Sequence, residues 1–204
     1  MILRKTLGIL GVLLPFMLVL GNLIIFRDGL ENSISGYYHT GMRSVFVGVL
    51  FAYGLFLFSY RGYERKDDIA GDLGCVFAIG VAIFPTTPEN PTSQWAATIG
   101  LIHLAFAMLL FSALAYFAIY LFTKTRPGIV VLGKQKKQRN IVYRSCGYAI
   151  VICIVALVLL KFLPGDITSS IEGVRPVLLF ESLALVAFGI SWLVKGEALF
   201  RDEA

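Results

Sequence analysis

Ser35, His39 and Arg43 recur at intervals of four, so a helix that began before the apolar run after them would stack all three on one face. Tyr37 and Tyr38 flank them. The chain holds only 2 histidines, and the second, His103, follows Trp95 by eight residues, about 12 Å at a helical rise of about 1.5 Å per residue. Glu181 enters the last apolar stretch by about one turn. Two imidazoles and a carboxylate are a ligand set for a transition metal, zinc first, so His39, His103 and Glu181 are the candidate metal ligands. A histidine beside Arg43 could instead act as general base while the guanidinium steadies a phosphate or oxyanion. Two membrane-embedded histidines at similar depth could also hold a haem. Against all three stands a reading without chemistry. In it Glu181 pairs with Arg43 or Lys161, His103 donates to a backbone carbonyl and His39 sits among headgroups. Neither H-x-x-x-H nor H-E-x-x-H accompanies the set.

The elements that must position these residues are apolar. Of the 204 residues 57% are hydrophobic and 15% charged, where a water-soluble domain runs near half and a quarter. Disordered chains and disulfide-stapled secreted scaffolds are excluded by the same figures and by a count of 3 cysteines. A bilayer-crossing helix needs about 20 mostly apolar residues. Six stretches approach that length: 7–26, 41–60, 69–84, 96–122, 145–163 and 177–194. The expected fold is therefore all-α, a single domain over 1–204 forming a polytopic bundle of six transmembrane helices.

Loop charge orients the bundle. With the N-terminus inside, fourteen of the 18 basic residues fall on the inner side, leaving Arg27, Arg43, Lys161 and Arg175 outside. This positive-inside bias predicts that both termini are cytoplasmic. It also absorbs the net charge of +5, so no nucleic-acid partner is expected. The inner run Lys134, Lys136, Lys137 and Arg139 would attract anionic lipid at roughly 1 kcal/mol per residue. The first stretch is too long for a signal-peptide core and lacks a clear cleavage site, so it is expected to be retained. Cys75, Cys146 and Cys153 contain no C-x-x-C pair and are expected as core fillers. Ala70, Gly74, Ala78 and Ala82 form a small-residue stripe for close helix packing. Pro15 should kink the first helix. The segment 85–92, with its three prolines, should form an outer turn, with Trp95 marking the outer interface and Tyr60 and Tyr63 the inner one. Asp72 is expected to partner Arg61 or Arg65.

Ser33-Ile-Ser-Gly-Tyr-Tyr-His-Thr-Gly-Met-Arg43, leading into Val45-Phe-Val-Gly48, is followed by Phe84-Pro-Thr86 and Gly100-Leu-Ile-His103. Together these resemble the six-span bacterial family of unknown function designated DUF998, itself similar to the Frag1/DRAM/Sfk1 membrane proteins. The resemblance runs from the first span through the fourth. It implies a six-helix integral membrane protein and a role near lipids. Ser35-x-x-x-His39 is also similar to the Ser-x-x-x-His element of the CREST membrane hydrolases, which bind zinc through further histidines. Their second His-x-x-x-His is absent here, and His103 and Glu181 would have to substitute.

The reading that follows is an integral protein of a bacterial-type cytoplasmic (inner) membrane, binding a lipid or small amphiphile in an outward-facing polar pocket. Ser35, Tyr38, His39, Arg43, His103 and Glu181 would line it, with Arg43 toward an anionic headgroup and no cofactor needed. The alternative is a metal-dependent lipid hydrolase in which His39 and His103 hold zinc, Glu181 is ligand or base and Ser35 supports the bound water. A small transporter comes third, since three plus three spans would permit an inverted repeat but no motif recurs between the halves.

Overall fold

The computed structural model describes residues 2–62, 64–88, 93–125 and 133–196. Tyr63, the outer-turn residues 89–92, and Arg126 and Arg201, two of the fourteen basic residues counted on the inner side, lie outside the described residues. Each of the six expected apolar stretches is a helix: α1 Ile2–Ile24, α2 Arg43–Phe58, α3 Arg65–Ile83, α4 Gln94–Tyr116, α5 Lys134–Leu160 and α7 Pro176–Lys195. A short α6, Gly165–Ile171, joins α5 to α7, and α4 continues through a π-helical turn, Phe117–Leu121. Each long helix packs on the next, and α7 closes the ring between α5 and α1.

Four of the helices, α1, α4 with its π turn, α5 and α7, are long and apolar enough to cross a membrane. The other two are not, for different reasons. α2 has 16 residues, about 24 Å at helical rise against a hydrocarbon core of about 30 Å. α3 is long enough but carries Arg65, Lys66, Asp67, Asp68 and Asp72 in its first half. It starts at Arg65 rather than Ile69 because Glu64 and Asp67 form a reciprocal capping box that satisfies the first-turn amides. α5 likewise begins at Lys134, eleven residues before the expected span, so its basic run is helical rather than a loop. Ser93 caps α4 by accepting a hydrogen bond from Ala96 N–H at 3.3 Å.

One tight helix contact is not announced by the small-residue stripe of α3. A Cβ on Gly189 of α7 would lie 2.6 Å from the Val12 nitrogen and 2.7 Å from the Gly8 carbonyl oxygen of α1, so the two backbones meet directly. The α3 stripe also packs, with Gly74, Ala78 and Ala82 buried and Ala70 half-buried. Its closest approach is at Gly71, whose added Cβ would come 2.6 Å from the Leu57 carbonyl oxygen. α1 runs through a buried Pro15 as one continuous helix. The three cysteine thiols are free, with Cys146 and Cys153 buried.

The ends of the bundle differ in content. At the end where α2, α4 and α7 finish, Tyr60, Phe117, Phe122, Tyr143, Phe188 and Trp192 form a buried aromatic cluster. Ring centroids there are 4.9 Å apart for Phe122–Trp192 and 5.1 Å for Tyr60–Phe117, both in edge-to-face geometry. Tyr60 is thus core rather than an interface marker. Asp67, only 1% exposed, is ion-paired with Lys124, which also reaches Glu64 Oε2 at 3.3 Å. The hydrogen bond to Asp67 holds the Lys124 ammonium above its ordinary pKa range. Lys136 Nζ donates to the carbonyls of Phe122 and Lys124 at 3.0 and 3.1 Å, tying off the chain beyond the π turn. Arg61 reaches Asp72 at 3.3 Å, the first of the two partners expected for that carboxylate.

Candidate functional site

At the opposite end, where α1, α3 and α5 finish, the polar side chains hold backbone. Residues Ser35–His39 form a separate 3-10 turn that ends at Thr40, and α2 starts only at Arg43. Ser35, His39 and Arg43 therefore do not share a helical face. The Thr40 hydroxyl, which caps by bonding Tyr37 O and Met42 N, competes with continued helix between them.

Glu181, projecting from the second turn of α7, accepts from the Ile34 and Ser35 backbone amides through Oε2 at 2.6 and 3.3 Å. These are amides at the start of the 3-10 turn, which no side chain of that segment caps. At the far end of the turn, His39 Nε2 lies 2.8 Å from the Thr86 carbonyl. His103 Nδ1 lies 2.6 Å from the Phe84 carbonyl, two residues away on the same segment. Each ring nitrogen facing a carbonyl must be the protonated one. Gly100, one turn before His103, lets this segment rest on α4, since a Cβ there would fall 2.7 Å from the Thr87 nitrogen. Arg43 donates to the Tyr38 hydroxyl at 2.6 Å, its guanidinium carbon 4.3 Å from the ring centroid. Tyr37, buried beside Tyr38, has its phenol pKa raised by burial.

These residues form a seam: α7 holds the start of the turn, and the turn and α4 both hold the strip at 84–86. The seam brings His39 and His103 to neighbouring carbonyls but leaves Glu181 facing amides. Among the described residues no three His, Cys, Asp or Glu side chains form a group that could hold a metal ion. The metal site expected on His39, His103 and Glu181 is therefore not formed, because the carboxylate and one nitrogen of each ring are bonded to main chain. The zinc chemistry implied by the CREST resemblance has no donor set among the described residues.

A cleft lies beside the seam instead. It encloses about 540 Å³ between α4, α5 and α7, within the size range of sites for small ligands. α4 and α7 scarcely touch, so the space between them is open. Leu104 and Met108 of α4, Leu157 and Val158 of α5, and Val177 of α7 give it apolar walls. Lys161, Arg175, Asn32 and Glu181 supply its polar margin. Of the six residues expected to line a pocket, only Glu181 does so here. His39 lines a smaller polar recess of about 410 Å³ with Thr86 and Ser33.

Arg175 is held in place. It caps α7 with φ 49° and ψ 62°, a left-handed conformation in which a non-glycine residue carries about 1–3 kcal/mol of strain. Pro176 at the first helical position fixes the helix start. The Arg175 Nε donates to Asn32 Oδ1 at 3.4 Å, and Leu178 N–H donates to the Asn32 carbonyl at 3.0 Å. A guanidinium, an ammonium at the end of α5 and the positive end of the α7 dipole thus converge on one side of an apolar cleft. Sequence periodicity gave no sign of it. The available signal was that Lys161 and Arg175, two of only four cations on their side, bracket the short polar link between the last two helices.

Four long apolar helices, joined with two shorter ones in a ring, define an all-α multi-pass membrane protein. No protein-family model, curated protein or solved structure matches the chain.

Proposed function

We propose that this is a six-span protein of the cytoplasmic membrane, both termini inside, that binds an anionic lipid or small amphiphile in the α4/α5/α7 cleft without chemical turnover. The observation that carries this reading is the pairing of apolar walls with Lys161 and Arg175 at the margin of one 540 Å³ space. Apolar walls accommodate an acyl chain without the hydrophobic gain of transfer from water, since the chain leaves lipid, so selection falls to the head, where a guanidinium with an ammonium suits a phosphate or carboxylate. Orientation rests on the fourteen-to-four division of basic residues, which puts the seam and the cleft on the outer side. The DUF998-like motifs from Ser33 to His103 agree with a role near lipids, and in this reading they build the seam that borders the cleft. On the inner side, Lys134 and Lys137 stand exposed on the first turn of α5. They and Arg139 would draw anionic lipid, whereas Lys136 is committed to the Phe122 and Lys124 carbonyls.

Native mass spectrometry of detergent-purified protein tests the cleft. Wild type should retain an anionic lipid. Lys161→Glu with Arg175→Glu should reduce retention at least tenfold, as should Met108→Trp, which fills the space. Equal retention in all three proteins overturns the reading.

A further inference from the structure

A second recess lies at the other end of α7, on the side lined by α1 and α2. From Val177 in the cleft to Trp192 is fifteen residues, about 22 Å of helix, so the two spaces are separate. The recess holds about 340 Å³ and is walled by Leu3, Arg4, Ser59, Tyr60, Arg61 and Trp192. Its chemistry is unlike that of the aromatic cluster behind it. Arg4, on the first turn of α1, and Arg61, in the link between α2 and α3, border the same space. Arg61 places one nitrogen against Asp72 and the Tyr60 carbonyl, and a guanidinium has five N–H donors. Trp192 contributes to the wall, is 1% exposed, and its indole N–H has no hydrogen-bond partner among the described residues. An indole nitrogen only donates, so the wall offers two guanidinia and an indole N–H beside the neutral hydroxyls of Ser59 and Tyr60.

We infer that this recess is a phosphate site, in which Arg4 and Arg61 clasp a phosphate group above Trp192 at the inner ends of α1, α2 and α7. Two guanidinia are the side chains best suited to bidentate contact with phosphate oxygens. A phosphate oxygen in the recess would supply the acceptor that the indole N–H of its wall lacks among the described residues. The phosphate belongs to a lipid headgroup or is free in solution, and the chemistry of recognition is common to both.

Trp95 and Trp192 are the only tryptophans, and Trp95 is 73% exposed, so Trp95→Phe leaves an emitter in the wall of the recess. In detergent, the Trp95→Phe protein is titrated with dioctanoyl phosphatidate, with inorganic phosphate and with dioctanoylglycerol. The expected result is a saturable change in Trp192 emission with phosphatidate, weakened at least tenfold by Arg4→Gln with Arg61→Gln. Both arginines are exposed, and the Arg61–Asp72 pair is about half exposed on each side, so these variants should keep the fold. A response to phosphate as well assigns the site to free phosphate, and a response to phosphatidate alone assigns it to lipid. No response to either, an equal response to dioctanoylglycerol, or a response unchanged in the arginine variants overturns the inference. Lys161→Glu with Arg175→Glu should leave this titration unaltered while emptying the cleft, so the two sites fail independently.

Discussion

The two ends of the bundle both tie polar side chains to main chain, but only one of them adds an ion pair. At the seam, Glu181, His103 and the exposed His39 each bond to main chain, and among the described residues no ion pair joins them. At the aromatic end, Asp67 and Lys124 bond to each other, and Lys136 closes the backbone beside them. The reason lies in the local chain. Between α1 and α2, and again between α3 and α4, the backbone leaves regular helix inside the bundle and exposes amides and carbonyls that need partners. Where α3 begins, the Glu64 and Asp67 carboxylates that cap the first-turn amides are the same ones that pair with Lys124, so one set of side chains meets both needs. Polar residues in a membrane chain can thus mark irregular backbone as readily as a site of chemistry.

The contrast can be broken, starting with its largest expected effect. Lys124→Met removes a counter-charge from the buried Asp67 carboxylate. Loss of one partner of a buried pair costs about 3–5 kcal/mol, and the 28% exposure of the Lys124 side chain points to the lower figure, about 3. Thermal melting in detergent measures it, and a loss below about 1 kcal/mol would show that the pair does not hold this end. Glu181→Ala leaves two amides of the turn unsatisfied and should cost about 2 kcal/mol, with hydrogen exchange rising at residues 34–36. A larger loss there than in Lys124→Met would reverse the ranking of the two ends. His103→Leu keeps most of the volume and removes one buried hydrogen bond, for about 1 kcal/mol, whereas His39→Leu, at an exposed position, should cost under about 0.5 kcal/mol. Equal costs would mean that the two histidines do not divide the work as their burial suggests.

A pH series sharpens the aromatic end further. The Lys124 pKa is raised above its ordinary 10.5, chiefly by the hydrogen bond to Asp67. Its contribution is therefore complete below pH 10.5 and is lost as pH rises through the folded value. The melting temperature of wild type should fall more steeply than that of Lys124→Met above pH 10.5. Parallel curves would remove Lys124 from the account.

Helix number and approximate position were readable because hydrophobic runs of this length leave few alternatives. The boundaries that moved did so for local reasons. The capping box of Glu64 and Asp67 pulls α3 four residues earlier, and nothing in the Lys134 run breaks a helix, so α5 extends through it. The seam was half legible. Glu181, His39 and His103 stood out as rare polar residues near one end, and a carbonyl partner for His103 was among the readings offered by the sequence. Their partners were not legible, since main-chain groups carry no residue identity. Treating Ser35, His39 and Arg43 as one face assumed a continuous helix, an assumption that the Thr40 caps defeat. The cleft was invisible for another reason: its walls are ordinary leucine, valine and methionine, distinguished only by the absence of a neighbour.

The left-handed Arg175 couples durability to ligand retention. Glycine adopts that backbone conformation without strain, so Arg175→Gly should raise the melting temperature while weakening retention of an anionic lipid. A chain selected for robustness alone would discard the arginine. Its presence at this angle, with Pro176 locked behind it, is a trade of fold stability for a cation held at a fixed bearing over the cleft.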